Sequence, residues 1–172
     1  NIGRVTAELH KLTPGQQIGL RGPFGTHFAM EEYKGKDLLF LAAGLGLPPL
    51  RSAINYALDK RNDYGKIIIL CGCTEPSQRL FIGAIATWKK NPSVVILETV
   101  DRSDDSWKGN VGVITTLIPK VKDRIDPSST KAFIVGKPGE IVGKAVPPGQ
   151  IPKVALSHPS PAAKDRIKEF PH

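Results

Sequence analysis

The sequence contains few cysteines, few aromatic residues and no apolar run of membrane-spanning length. Its 172 residues include two cysteines, Cys71 and Cys73, too few for a disulfide framework or for a complete tetrahedral zinc or iron–sulfur site. The apolar stretch 38–50 is interrupted by two glycines and two prolines and is too short to cross a bilayer. With no secretory segment before residue 1, we expect a cytoplasmic protein that is not inserted in a membrane.

Positive charge is in excess, since 24 Lys and Arg against 16 Asp and Glu give a net charge of +8. Such a balance suits nucleic acid, anionic cofactors or an acidic partner protein. The basic residues are scattered rather than gathered in an arginine-rich block, and aromatic residues make up 6% of the chain, which leaves few platforms for base stacking. We therefore expect no nucleic-acid binding, which salt-dependent binding to DNA or RNA would contradict.

Apolar runs alternate with amphipathic segments from residue 37 onward. An apolar run of four to seven residues is typical of a buried strand, and apolar residues at helical spacing indicate a helix. The predicted strands are 38–41, 67–71, 94–100, 132–135 and 154–156, and the predicted helices are 48–60, 77–89, 113–121 and 140–146. This order predicts a doubly wound parallel α/β sheet covered on both faces. The strand spacing also places Cys71 and Cys73 on one face, as small packed residues.

Residues 1–34 have a different pattern, with a predicted strand at 17–21 and a turn at 21–25. A segment of this size cannot bury a core alone. We therefore expect it to pack against another part of the protein.

The loop 42–48 joins the first predicted strand to the first predicted helix. Ligands of open parallel sheets bind beyond the carboxyl ends of the strands, where this loop lies. Gly44 and Gly46 permit a tight turn and close approach of an anion to the backbone, and Pro48 suits the first helical position. The free amides of the helix N-terminus then face a phosphate. The third glycine of the dinucleotide fingerprint is absent, so this loop alone is equally explained as a turn.

Three further loops follow predicted strands at the same edge of the sheet: 72–74, 101–102 and 136–139. Each alone is explained as a turn, but glycines at several strand ends of one edge are what a dinucleotide lying across the sheet requires. The edge leaves the choice between NADH and NADPH open. Arg79 or Arg102 would suit a 2′-phosphate, whereas Asp101 would suit a free ribose hydroxyl.

Several stretches together carry a family resemblance. Residues 1–6 (NIGRVT), 19–25 (GLRGPFG) and 43–51 (AGLGLPPLR) resemble the ferredoxin–NADP reductase superfamily. Residues 100–112 and 117–119 narrow the resemblance to gamma subunits of NAD(P)-linked hydrogenases and B subunits of anaerobic sulfite reductases. The resemblance extends over about residues 1–146, and the combination is more specific than any single motif.

The resemblance implies a flavoprotein oxidoreductase subunit of a redox complex. Residues 1–34 would be the C-terminal part of a flavin-binding β-barrel, 35–156 a ferredoxin reductase-like NAD(P)-binding domain and 157–172 an extension. Hydride would pass from NAD(P)H to FAD, and electrons would go on to a partner redox subunit. Gly3, Arg4, Val5, Thr6, Arg21 and Gly22 would serve the flavin side; Gly44, Leu45, Gly46, Leu47, Pro48, Gly72, Thr74, Asp101, Arg102, Gly136, Lys137, Pro138 and Gly139 would line the nicotinamide nucleotide.

Two departures from the family pattern support an alternative. A Cys-Gly-x-x-x-Met stretch of the family is replaced by residues 135–140 (VGKPGE), and the family's C-terminal cysteines are missing after residue 157. We therefore expect no [2Fe–2S] cluster in this chain. The alternative is a non-catalytic structural or regulatory subunit that retains the nucleotide-binding fold.

Overall fold

The computed structural model describes residues 3–22 and 24–136. Within these ranges the strands are β1 (Asp37–Ala43), β2 (Ile67–Cys73), β3 (Val94–Val100), β4 (Asn110–Val111) and β5 (Thr130–Val135). The α-helices are α1 (Arg4–His10), α2 (Leu47–Asp59), α3 (Ile82–Trp88) and α4 (Ile118–Val121). The predicted helix 140–146, the predicted strand 154–156 and the extension 157–172 lie outside the described residues.

The described strands form one parallel sheet in the order β4-β3-β2-β1-β5. Phe40 of the central strand β1 pairs in register with Ile69 of β2 and with Phe133 of β5. Because every pairing is parallel, all carboxyl ends of the strands meet at one edge. The predicted parallel α/β fold is confirmed.

Strands β1, β2, β3 and β5 contribute alternate residues to two cores, one on each face of the sheet. On one face Phe40 and Ile69 pack with Ile54 of α2, and α3 adds Trp88. On the other face the core is completed by Leu117, which precedes α4. Helical segments on both faces make the sheet doubly wound, as the apolar strand runs predicted.

Helix α2 matches its prediction to within one residue at each end, but α3 begins at Ile82 rather than at residue 77. The intervening chain forms a 3-10 turn at Pro76–Gln78, then an extended residue at Arg79. Phe81 next adopts a left-handed conformation with φ of 52°. The prediction of a helix from residue 77 is therefore wrong. The backbone is extended at Arg79, whose side chain donates a hydrogen bond to Glu98 of β3.

The chain between β3 and β5 also differs in detail from its prediction. Strand β4 was not predicted, since two residues carry no periodic signal. The predicted helix 113–121 is a 3-10 turn, Ile114–Leu117, followed by the single-turn helix α4.

Among the described residues of the segment 3–29, none is fully buried. It contains the exposed helix α1, and the predicted strand 17–21 is wrong, because no other strand in the described part of the chain pairs with it. An isolated strand leaves its backbone amides and carbonyls unpaired. The strongly exposed apolar residues of this segment are Val5, Leu9, Leu12, Ile18, Leu20 and Phe24. Across residues 3–22 and 24–136, no helix has both the length and the apolar content needed to cross a membrane.

Candidate functional site

The site is built at the carboxyl edge of the sheet, where β1 passes into α2. Gly44–Gly46 form a 3-10 turn directly after β1, and α2 starts at Leu47. Gly44 has φ of +52° and nothing within 4 Å of its Cβ position. A glycine is favoured there by the left-handed backbone, and its exposed face leaves room for a ligand. The thirteen-residue helix α2 gives this end a positive dipole. The free amides that the sequence predicted in its first turn are not there, because Pro48 and Pro49 carry no N–H and the amide of Leu47 donates to the carbonyl of Gly44.

Gly46 is required for a different reason from Gly44. A Cβ atom at Gly46 would overlap the carbonyl group of Val135 at the end of β5. The turn therefore packs backbone to backbone against the neighbouring strand end. The sequence predicted that both glycines admit an anion, whereas the structure leaves open space beside Gly44 and gives Gly46 a packing role.

A crevice of about 540 Å³ opens beside this turn. Strands β1, β2, β3 and β5 all contribute their carboxyl ends or the residues that follow them. Its lining residues are Ala43, Gly44, Leu45, Gly46, Gly72, Cys73, Thr74, Gln78, Asp101, Val113, Ile114, Val135 and Gly136. The structure thus brings together seven of the residues that the sequence assigned to the nucleotide, Gly44, Leu45, Gly46, Gly72, Thr74, Asp101 and Gly136.

The other assigned residues have different positions. Pro48 is exposed in the first turn of α2, and Leu47 is buried beneath the crevice in an adjoining smaller cavity. Arg102 is bound to a glutamate at the rim. Residues 137–139 lie outside the described part of the chain. The residues assigned to the flavin lie elsewhere. Gly3, Arg4, Val5 and Thr6 are exposed at the start of α1, and the guanidinium of Arg21 lies 5.7 Å from the ring centre of Phe24. None of these residues, nor Gly22, lines the crevice.

The floor of the crevice is held by close packing and by backbone hydrogen bonds. A Cβ atom at Gly72 would lie 2.9 Å from Cβ of Ile114, so the glycine lets the 3-10 turn sit on the end of β2. The amide of Asp101 donates to the carbonyl of Cys73 at 3.0 Å, and Arg102 donates to Thr74 at 2.9 Å. These bonds continue the β2–β3 pairing past the strands and fix Asp101 at the edge.

A group of charged side chains lies beside the crevice that the sequence did not single out as a unit. Glu98 of β3, with its side chain 9% exposed, binds Arg79 and Lys89, each at 2.6 Å. Burial alone would raise the pKa of Glu98, but the hydrogen bonds from Lys89 and Arg79 outweigh it and hold the pKa below its ordinary value. Arg79 also lies 5.1 Å over the ring of Trp107. Because these contacts join residues that are distant in the chain, no local sequence motif predicts them.

The two cysteines are free thiols. Cys71 is buried, and this burial raises its pKa to about 12. Cys73 is half-buried at the crevice, where burial also raises its pKa and its thiol donates to the carbonyl of Glu75 at 3.2 Å. Burial therefore disfavours the thiolate form of both cysteines. The packing role predicted for Cys71 is confirmed, since it lies in the core on one face of the sheet.

Comparisons of the sequence and of the structure with known proteins both find oxidoreductases. A family model described as the oxidoreductase NAD-binding domain matches residues 40–143. Over 139 residues the chain is 37% identical to the gamma subunit of sulfhydrogenase 1 of Pyrococcus furiosus, covering 79% of this chain and 47% of that protein. It is 31% identical to the gamma subunit of sulfhydrogenase 2 of the same organism, covering 87% of this chain and 58% of that one.

Among solved structures, the cytochrome b5 reductase domain of Ulva prolifera nitrate reductase has the same fold. The TM-score is 0.63 at 23% identity, over 80% of this chain and 55% of that domain. The chain spans about half the length of the curated relatives it matches.

Proposed function

The chain belongs to the oxidoreductase NAD-binding domain family, and on that premise we propose that its crevice binds NADH or NADPH for hydride transfer. The resemblance to the ferredoxin–NADP reductase superfamily and to hydrogenase gamma subunits is confirmed. One observation carries the proposal: Gly44, with its left-handed backbone and empty surroundings, lies between the N-terminus of α2 and the open crevice.

The diphosphate bridge of the dinucleotide is the group that this turn fits best. An anion beside Gly44 meets no Cβ atom and faces the positive end of the α2 dipole. Thr74 and Asp101 lie along the crevice toward β3, while Gly136 lies toward β5. A dinucleotide centred on Gly44 would therefore extend over the strand ends in both directions, with Asp101 at one limit and Gly136 at the other.

We propose that the whole protein also binds FAD and passes electrons to a partner redox subunit. Gly3, Thr6 and the exposed first turn of α1 would hold the flavin pyrophosphate, and the Cβ position of Gly3 has nothing within 4 Å. When bound, the nicotinamide and the flavin supply the hydride chemistry; the protein binds and orients them. The sulfhydrogenase relatives are subunits by name. Two free cysteines favour a reducing, cytoplasmic compartment.

The alternative is a non-catalytic subunit that binds the nucleotide without passing on electrons. It is favoured by Val135, which stands at the end of β5 where the family pattern has a cysteine. A full-length protein that binds NADH, copurifies without flavin and fails to reduce a dye would establish this alternative.

The proposal is tested by titrating the purified chain with NADH and NADPH in a calorimeter. Saturable binding of at least one nucleotide is expected, and Gly44→Asp should weaken it by about tenfold or more, because a carboxylate would then face the diphosphate. Gly35→Asp is the matched control. It has a positive φ of 76° and open surroundings, but it precedes β1 at the opposite edge of the sheet. Absence of binding to the unmodified chain, or equal weakening by both variants, would refute the proposal.

A further inference from the structure

Two arginines lie at the β3 end of the crevice, and each is bound to a glutamate. Arg79 is bound to Glu98, and Arg102 is bound to Glu75. We propose that Glu75 is a specificity residue that disfavours NADPH by holding Arg102. This inference rests on the proposed function, because it concerns which nicotinamide nucleotide the crevice prefers.

The pairing of Glu75 with Arg102 is built into the backbone. The amide of Arg102 donates to the carbonyl of Thr74 at 2.9 Å, so the residue before Glu75 is fixed against Arg102. The side chains then meet, with Nη2 of Arg102 at 2.6 Å from Oε1 of Glu75. Both chain segments end at the crevice, through Thr74 on one side and Asp101 on the other.

The chemistry of the two candidate ligands differs at this point. An aspartate suits the free 2′-hydroxyl of an NADH ribose, which donates to the carboxylate, whereas an arginine suits the 2′-phosphate of NADPH. Asp101 lines the crevice, and Arg102 already has a carboxylate partner. A 2′-phosphate would have to displace Glu75 from Arg102 while lying between two negative side chains. A ribose with a free hydroxyl meets neither obstacle.

Arg79 does not offer a second phosphate site. Its guanidinium donates twice to Oε1 of Glu98, at 2.6 and 3.1 Å, and is packed over Trp107. The Glu98 side chain is 9% exposed and also binds Lys89. By contrast, the pair of Glu75 and Arg102 is 41% and 70% exposed. An exposed pair of this kind is weak, so Glu75 can be replaced without disturbing the fold.

The test is calorimetric titration of the full chain with NAD⁺ and NADP⁺, which needs no turnover. Glu75→Gln should tighten NADP⁺ binding by about fivefold, the range expected for an exposed ion pair, and leave NAD⁺ binding unchanged. In an Arg102→Ala background the same substitution should have no effect on NADP⁺. Glu31→Gln is the matched control, since Glu31 pairs with lysines near the opposite edge of the sheet.

The outcomes separate the two proposals. If the unmodified chain binds neither nucleotide, the proposed function and this inference both fail. Saturable binding of NAD⁺ together with an unchanged NADP⁺ affinity in Glu75→Gln would overturn the role of Glu75 alone. The same conclusion follows if Glu31→Gln changes NADP⁺ affinity as much as Glu75→Gln, or if the effect survives in Arg102→Ala.

Discussion

Gly44 and Gly46 illustrate how one short motif serves two physical purposes. Gly44 has a positive φ and open surroundings, which suit the proposed anion, while Gly46 is a glycine because Val135 occupies the space of a side chain. The sequence locates both residues, since loops after apolar strands lie at one edge of a parallel sheet. It cannot separate their roles, because the contact of Gly46 is with a strand end about ninety residues away in the chain.

Glu98 gives a prediction about stability and pH. Its pKa is held below the ordinary value by Lys89 and Arg79, so the folded state favours the charged carboxylate. This contribution to the free energy of unfolding is fully present above the unfolded pKa near 4.5 and is lost as the pH falls through the lower, folded pKa. Glu98→Gln should cost about 2 kcal/mol at neutral pH, because two cations lose a mostly buried partner.

Urea denaturation at neutral pH and at pH values below 4.5 provides the measurement. The difference between the unmodified protein and Glu98→Gln should shrink as the pH falls. Glu8→Gln is the control, since Glu8 forms an exposed pair with Lys11 and should change stability by less than about 0.5 kcal/mol. A difference that stays constant across the acid range would show that the ion pairs are not its source.

At the scale of elements, the predictable part of the fold is the part with local periodicity. Apolar runs predict strands β1, β2, β3 and β5, and helical spacing predicts helix α2. The start of α3 was not predictable, because it depends on the contact between Arg79 and the carboxylate of Glu98 on β3. Likewise, Gln78 and Trp107 reach the crevice or its adjoining cavity through tertiary contacts that no local motif records.

The 3-10 turn Ile114–Leu117 belongs to the core that contains Leu117 and also lines the crevice. Its contribution to the site can be tested by substitution. Ile114 packs on Gly72 and lines the crevice, whereas Leu117 is fully buried in the same core without lining it. Either residue replaced by Ala should cost about 2–4 kcal/mol of stability. Ile114→Ala alone should also weaken NADH binding several-fold, because the support of the β2 end is lost.

Calorimetric NADH titrations and urea melts of both variants decide this point. The expected pattern is similar destabilisation with different affinities. If Leu117→Ala weakens NADH as much as Ile114→Ala does, the turn acts only through global stability and has no particular connection to the site.

At the scale of the whole molecule, the described chain divides by burial. From Met30 onward residues enter a core, while 3–29 contributes none that is fully buried. The hydroxyl of Tyr64 donates to the carbonyl of Met30 at 3.1 Å, and Tyr33 packs edge-on against Phe133 at 5.6 Å. The division of the protein at residues 34 and 35 stays a prediction, and the packing of residues 30–33 on the α/β core gives a way to test it.

Two truncations of the chain locate the boundary by its effect on stability. Removing residues 1–26 should change the free energy of unfolding by less than about 1 kcal/mol, because none of the described residues in this range is buried. Removing residues 1–34 should cost about 3 kcal/mol or more, since it exposes Phe133 and leaves Tyr64 without its acceptor. Urea melts measure both. NADH binding should survive the shorter deletion, because the crevice lies entirely within later residues. Equal stability of the two truncated chains would place the boundary at 34 and 35, whereas the expected difference places Met30 and Tyr33 with the nucleotide-binding unit.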